Sequence, residues 1–209
     1  MGFCPGTPRR LRRAGRLRSS RRMKMKSVGR SNFGQPWPEE AAATDSRGGL
    51  RPPNTKYGNL GMDMTWITGR LAMGGGIWNP ENMAALARAG VTHIIDMQIE
   101  FDDTALARPH GIEVLWNPTD DDFQPKPPEL FQRGVDFAER AMKDETARVF
   151  VHCAAGVHRA AMMTLAILCA DGWELQDAMR TIVSRRPVVD FADVYVESVE
   201  RFLGEKVPE

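Results

Sequence analysis

The stretch Val151-His152-Cys153-Ala154-Ala155-Gly156-Val157-His158-Arg159 decides how this chain is read. Its lead-in, Val149-Phe150-Val151, has the length and β-branched composition of a short buried strand. Nothing in the loop that follows has a bulky branched side chain except Val157, and Gly156 permits a backbone turn that other residues resist. From Arg159 to Ala170 the sequence reads as an apolar helix, stopped at Gly172. A strand, a tight loop and a helix in that order aim several backbone N–H groups and a helix N-terminus at one point. Such a point binds an anion of phosphate size.

Cys153 stands in that site. Oriented N–H dipoles, the helix end and the nearby Arg159 all favour a thiolate, and the thiolate is the nucleophilic form. The planar fork of Arg159 can grip two phosphate oxygens, a grip that tightens as charge develops on them. Ala154, Ala155, Gly156, Val157 and His158 supply the phosphate-binding backbone, and His152 is expected to orient the loop through hydrogen bonds. Cys169, within an apolar helix, reads instead as an inert small hydrophobe.

Outward from the loop, strands and helices alternate. Thr65–Leu71 reads as a first strand, followed by a turn at Gly74-Gly75-Gly76. Asn79-Pro80 opens a helix, with Asn as cap and Pro at the first position. Val91–Met97 and Glu113–Trp116 read as strands, and Leu130–Met142 as an amphipathic helix. Leu175–Arg185 and Asp193–Leu203 complete the helices. The order implies one α/β domain, residues 62–205, with a central, mostly parallel sheet flanked by helices.

A phosphate ester of a phenol or an alkyl hydroxyl leaves poorly without a proton, so this chemistry needs a general acid. Candidates follow a strand and a turn-forming proline in Asn117-Pro118-Thr119-Asp120-Asp121-Asp122. Asp120, Asp121 and Asp122 all remain open on the residues alone. Asp96 and Glu100 fall near the C-terminal end of a strand and could line the cleft. His158 could face the rim of the pocket or solvent, and His93 and His110 read as structural.

The formal charge of +1 over 209 residues hides an asymmetry. Residues 1–30 hold nine Arg, two Lys and no acid, which is +11 and leaves −10 for the remainder. Residues 1–61 also contain Gly, Pro and Ser without apolar periodicity, so they read as a disordered basic tail. Contact of that tail with nucleic acid or anionic lipid is the weaker reading beside a solvated segment. Its Arg-rich, acid-poor composition also resembles a transit peptide. Three cysteines, Cys4, Cys153 and Cys169, match neither a disulfide framework nor a zinc site, and point to a reducing compartment such as the cytoplasm. No apolar run is long enough for a membrane span. Neither a metal nor a cofactor is expected.

The segment HCAAGVHRA resembles the phosphate-binding loop of the protein tyrosine phosphatase superfamily, in its compact dual-specificity branch. The likeness runs from about Trp66 to Leu203 and includes ITGRLAMGGG and VTHIIDM. The resemblance implies a phosphocysteine intermediate on Cys153, phosphate binding by Arg159 and no metal. It implies an acid three residues beyond a proline, which selects Asp121, acting later as the base that activates water. It also implies a phosphorylated protein or peptide as substrate. One position departs from the pattern: Ala160 stands where the family carries Ser or Thr, which implies slower breakdown of the intermediate. A phosphoinositide or phosphosugar phosphatase would use the same chemistry. A non-catalytic module that only holds phosphorylated partners, and a rhodanese-type sulfur transferase, are the readings from other classes.

Overall fold

The structure, a computed structural model, describes Phe33 and residues 61–205. The expectations placed on the basic tail otherwise lie outside the described residues. Phe33, within that stretch, is buried in the main core and its N–H donates to Asp171 Oδ2 at 3.4 Å.

Five strands form one sheet in the order β1-β2-β5-β3-β4: β1 Met64–Trp66, β2 Leu71–Gly74, β3 His93–Asp96, β4 Glu113–Trp116 and β5 Val149–His152. The pairs β2–β5, β5–β3 and β3–β4 are parallel; β1 joins β2 antiparallel. The helices are α1 Pro80–Arg88, α2 Thr104–Ala107, α3 Pro128–Met142, α4 Arg159–Ala170, α5 Leu175–Arg185 and α6 Asp193–Glu205.

One expectation fails at the start of the sheet. Thr65–Leu71 is not a single strand, because the chain reverses between β1 and β2. Thr68 Oγ1 accepts the N–H groups of Arg70 (3.2 Å) and Leu71 (3.0 Å), and Ile67 N–H donates to Leu71 O at 2.9 Å. Local turn chemistry at Thr68-Gly69 thus overrides the strand propensity around it. Gly74 closes β2 rather than opening the turn.

Strand alternation sorts the core into two layers. Leu71, Met73, Ile95, Val149 and Val151 face α3, α4 and α6, whereas Ala72, Ile94 and Phe150 face α1 and α2. α4 is buried on nearly every side, as suits a helix apolar all round. It lies so close to α3 that a Cβ on Gly134 would meet Met163 Sδ at 2.4 Å. α1 begins as the sequence indicates: Asn79 Oδ1 accepts Asn82 N–H at 2.8 Å.

Because β2, β5, β3 and β4 run parallel, their last residues Gly74, His152, Asp96 and Trp116 align in one row. The loops beyond that row hold nearly every residue singled out in the sequence. Clefts in open parallel sheets form at this C-terminal edge.

Candidate active site

The β5–α4 loop wraps around the Cys153 sulfur. Gly156 N–H points at Cys153 Sγ, 3.2 Å away, and Cys153 is 1% exposed. The loop carbonyls turn outward: Ala154 O accepts Gly76 N–H at 3.0 Å, and Ala155 O and Gly156 O accept Arg186 Nη2 and Nε at 3.2 and 2.9 Å. The N–H ends of those same peptide units point the opposite way from the carbonyls, and the Gly156 N–H meets the sulfur. Gly156 has φ +64, and a Cβ there would meet Gly74 C and O at 2.5 Å. Glycine is therefore required twice over, by backbone conformation and by space.

Arg186 is a brace the sequence did not reveal. Besides the two loop carbonyls, it grips Asp63 with both Nη atoms at 2.6 Å. It is 5% exposed and ties the residue just before β1, the loop and the end of α5 to one point. No local spacing links Asp63 to Arg186, so only the fold brings them together.

Arg159 is buried and presented to the site by the first turn of α4. Nη1 donates to Glu100 Oε2 at 2.9 Å and to Thr119 O at 3.1 Å, and Nη2 donates to Glu100 Oε1 at 2.9 Å. Three of its five N–H groups are thereby taken. The Nε–H and the second Nη2–H share the remaining edge of the fork, and Nε has no hydrogen-bond partner. That edge can take two oxygens of one phosphate. Burial opposes the charge of Arg159, yet the Glu100 hydrogen bonds, with Cys153 and Asp121 nearby, hold its pKa above the ordinary value. The same pairing with Arg159 pulls the Glu100 carboxyl down to about 2.

The three acid candidates part company in the structure. Asp121 Oδ1 accepts Tyr195 O–H at 3.1 Å, and its Oδ2 lies 3.1 Å from His158 Nδ1 and 3.9 Å from Arg159 Nε. Asp122 instead pairs with Lys126 and accepts Gln124 N–H at 3.1 Å. Asp120 is exposed. Phe123 has φ 55, a left-handed conformation that costs a non-glycine residue energy. It is held there because its N–H donates to Tyr195 O–H at 2.9 Å and its ring stacks on Tyr195. Burial, with Asp121 as hydrogen-bond acceptor, pushes the Tyr195 hydroxyl up to about 12, so Tyr195 stays a donor.

His152 does not face the loop interior. It sits on the same sheet face as Phe150, and the two rings stack at 5.4 Å. Its Nε2 lies 3.1 Å from Asp103 Oδ2 and 3.6 Å from Asp96 Oδ1, all three side chains being fully buried. The 3.1 Å approach lacks hydrogen-bond alignment. His152, Asp96 and Asp103 are the one metal-type cluster among the described residues, with ligand atoms within 4.8 Å. Both Asp96 oxygens, however, already accept backbone N–H groups, from Gln98 (2.9 Å) and Asp103 (3.3 Å). We read the cluster as a charge network that supports the sheet edge behind the loop. Burial pushes the Asp96 carboxyl up to about 6, against the lowering pull of His152. Cys169 lies away from the loop, and burial raises its thiol to about 12, consistent with an inert side chain.

A sulfur that meets a backbone N–H just before a helix, an arginine fork with one free edge and a carboxylate beside it make an arrangement chemically suited to a phosphate group. The dual specificity phosphatase catalytic domain matches residues 78–202, and the chain belongs to that family, a branch of the protein tyrosine phosphatase superfamily. Among curated proteins it is similar to Protein phosphatase Slingshot homolog 3 of Rattus norvegicus, 31% identical over 133 residues. That match spans 62% of this chain and 20% of the relative. Protein phosphatase Slingshot of Drosophila melanogaster is 28% identical over 131 residues, 62% of this chain and 12% of that protein. The chain thus covers a fifth or less of these two relatives.

Among solved structures, PTPMT1 in complex with PI(5)P superposes with a TM-score of 0.61 at 21% identity, over 68% of this chain and 95% of that one. A variant of human DUSP28 gives 0.57 at 21% identity, over 68% and 95%. These likenesses establish a shared fold. Among the described residues no helix is long and apolar enough to cross a membrane.

Proposed function

We propose that the domain hydrolyses phosphate monoesters on protein Tyr, Ser or Thr through a phosphocysteine. The Cys153 thiolate attacks phosphorus, forming the S–P bond as the P–O bond to the leaving group breaks. Asp121 delivers its proton to that oxygen. Water then attacks the phosphocysteine, Asp121 takes the water's proton, and inorganic phosphate departs as the S–P bond breaks. Throughout, the free edge of Arg159 and the N–H groups of Ala155, Gly156 and Val157 hold the three equatorial oxygens.

The observation that carries this reading is the uncommitted Nε/Nη2 edge of Arg159 beside a sulfur already accepting Gly156 N–H. The phosphate loop offers Ala154, Ala155 and Val157 where a polyanionic headgroup would favour cationic side chains, which supports phosphoprotein over phosphoinositide or phosphosugar. A cytoplasmic setting accords with the free thiols of Cys153 and Cys169.

The test is hydrolysis of an aryl phosphate, phosphopeptides and phosphoinositides by the wild type and by Cys153→Ser. Wild-type turnover with loss in the variant supports the mechanism. A preference for phosphoinositides would reassign the substrate. Binding without turnover of any of them would make the domain a phospho-binding module.

A further inference from the structure

Exposed large apolar side chains are not spread evenly over this domain. Apart from Val183 on α5, those among the described residues are Trp78, Ile99, Phe101, Trp116, Phe123 and Val188. All six sit at the edge that carries the phosphate loop. Trp78 lies between β2 and α1, Ile99 and Phe101 between β3 and α2, and Trp116 ends β4. Phe123 contacts His158 of the loop, with ring centroids 5.1 Å apart. Val188 joins Val157 and Pro187 in lining a hollow of about 410 Å³ beside the loop, with Asp63 at the same hollow. Scattered apolar residues on a surface need no explanation, but a cluster around a binding site marks an interaction surface.

The exposed charge around the acid loop and the β3–α2 loop is mainly acidic. Asp102, Asp120 and Asp190 are exposed. Three cations beside the loop are buried and already paired, Arg159 with Glu100, Arg186 with Asp63 and Lys126 with Asp122, whereas half-buried Arg185 lines the hollow. An anionic bilayer would be repelled here. A polypeptide carrying Lys or Arg beside large apolar residues would be attracted by the carboxylates and would cover the exposed rings.

We propose that this edge docks a phosphoprotein segment whose phosphorylated residue is flanked by basic and large apolar side chains. The inference rests on the phosphatase reading and names the substrate class of the same site. The hollow beside Val157 receives an apolar side chain flanking the phosphorylated one, and Asp102 and Asp120 meet its basic neighbours.

The experiment measures phosphopeptide binding to the full chain carrying Cys153→Ser, by fluorescence anisotropy. Three peptides of equal length flank the phosphoresidue with Arg and Leu, with Ser and Gly, or with Glu. The Arg/Leu peptide should bind at least about tenfold tighter than the Glu peptide, with the difference shrinking in 0.5 M salt as charges are screened. Adding Phe101→Ser together with Asp120→Asn should remove most of that preference. The basic segment 1–30 is identical in all variants, so a loss on substitution locates binding at this edge. Equal affinities, or a preference untouched by the substitutions, would overturn the proposal. So would association with phosphatidylserine-containing vesicles that the same substitutions abolish, which would assign the edge to a membrane. Aryl phosphate turnover by the wild type separates the two readings. Turnover without peptide preference sinks the docking surface alone; absence of turnover sinks the phosphatase reading, while the binding series still decides the surface.

Discussion

Glu100 and Arg159, 59 residues apart in the chain, meet as a parallel fork, with Oε2–Nη1 and Oε1–Nη2 both 2.9 Å. The pair fixes which edge of the guanidinium remains for substrate. Since Arg159 is buried, its rotamer and its charge both depend on this partner.

Removing the carboxylate charge should therefore act on phosphate binding more than on folding. Charge-assisted hydrogen bonds contribute roughly 1.5–3 kcal/mol, so Glu100→Gln should lower kcat/KM for an aryl phosphate by about 10–100-fold. Competitive inhibition by inorganic phosphate should weaken in parallel. With the Glu100 carboxyl held at about 2, the fork stays intact throughout the pH range of an ordinary assay. The acidic limb of a rate profile should then be the same in shape for the wild type and Glu100→Gln; a shifted limb would contradict this assignment.

The acid loop separates chemistry from stability. Asp121→Asn should lower kcat by about 10²–10⁴ on peptide phosphates, the range for losing a general acid. Asp122→Asn should instead lower the melting temperature, because Lys126, 5% exposed, loses its anionic partner. Its kcat should stay within about threefold of the wild type, as acid catalysis is untouched. Thermal unfolding and steady-state kinetics on the two variants distinguish the roles, and a reversed pattern would move the acid to Asp122.

Ala160 is fully buried in the first turn of α4, directly after Arg159. On the proposed phosphocysteine mechanism, the family resemblance implies that a hydroxyl there would stabilise the departing thiolate. Ala160→Ser should raise the steady-state rate and reduce the amplitude of a pre-steady-state burst. An unchanged or lower rate would show that breakdown of the phosphoenzyme does not limit turnover.

Asp96 gives a stability signature. Its carboxyl titrates at about 6 when folded, against an ordinary value near 3.8. Between these values the native state binds more protons than the unfolded chain, so stability falls as pH rises from about 4 to 6. Above that window the ionised, buried carboxylate carries a penalty of up to about 3 kcal/mol. Asp96→Asn loses an acceptor for Asp103 N–H, yet it should flatten this dependence. Urea midpoints at acidic and neutral pH would show the wild type losing ground to the variant as pH rises. A constant difference would mean that the carboxyl does not titrate in this window.

Much of the site was legible because it is local. The loop from His152 to Arg159, the Asn79 cap, strand Glu113–Trp116 and helices Arg159–Ala170 and Leu175–Arg185 all follow from short-range periodicity, turn residues and caps. The hairpin at Thr68 was missed because its signal, one side-chain hydroxyl accepting two N–H groups, is weaker than the strand-forming residues around it. α2 was missed because four residues are too few to show a period. The sheet decided the rest. Alternation along β5 turns Val151 and Cys153 to one face and His152 to the other, so His152 meets Asp96 and Asp103 instead of the phosphate loop.

By itself, then, the sequence determined that a thiol and an arginine share a tight turn between a buried strand and a helix. Those residues are neighbours in the chain, and their backbone geometry follows from residue types within a few positions. Only the tertiary structure decided that Glu100 aims Arg159, that Asp63 and Arg186, 123 residues apart, lock the loop, and that Asp121 rather than Asp122 faces His158 and Arg159. Those contacts depend on the strand order β2-β5-β3-β4, which hydrophobic patterning leaves open because a short apolar strand does not specify which neighbour it pairs with.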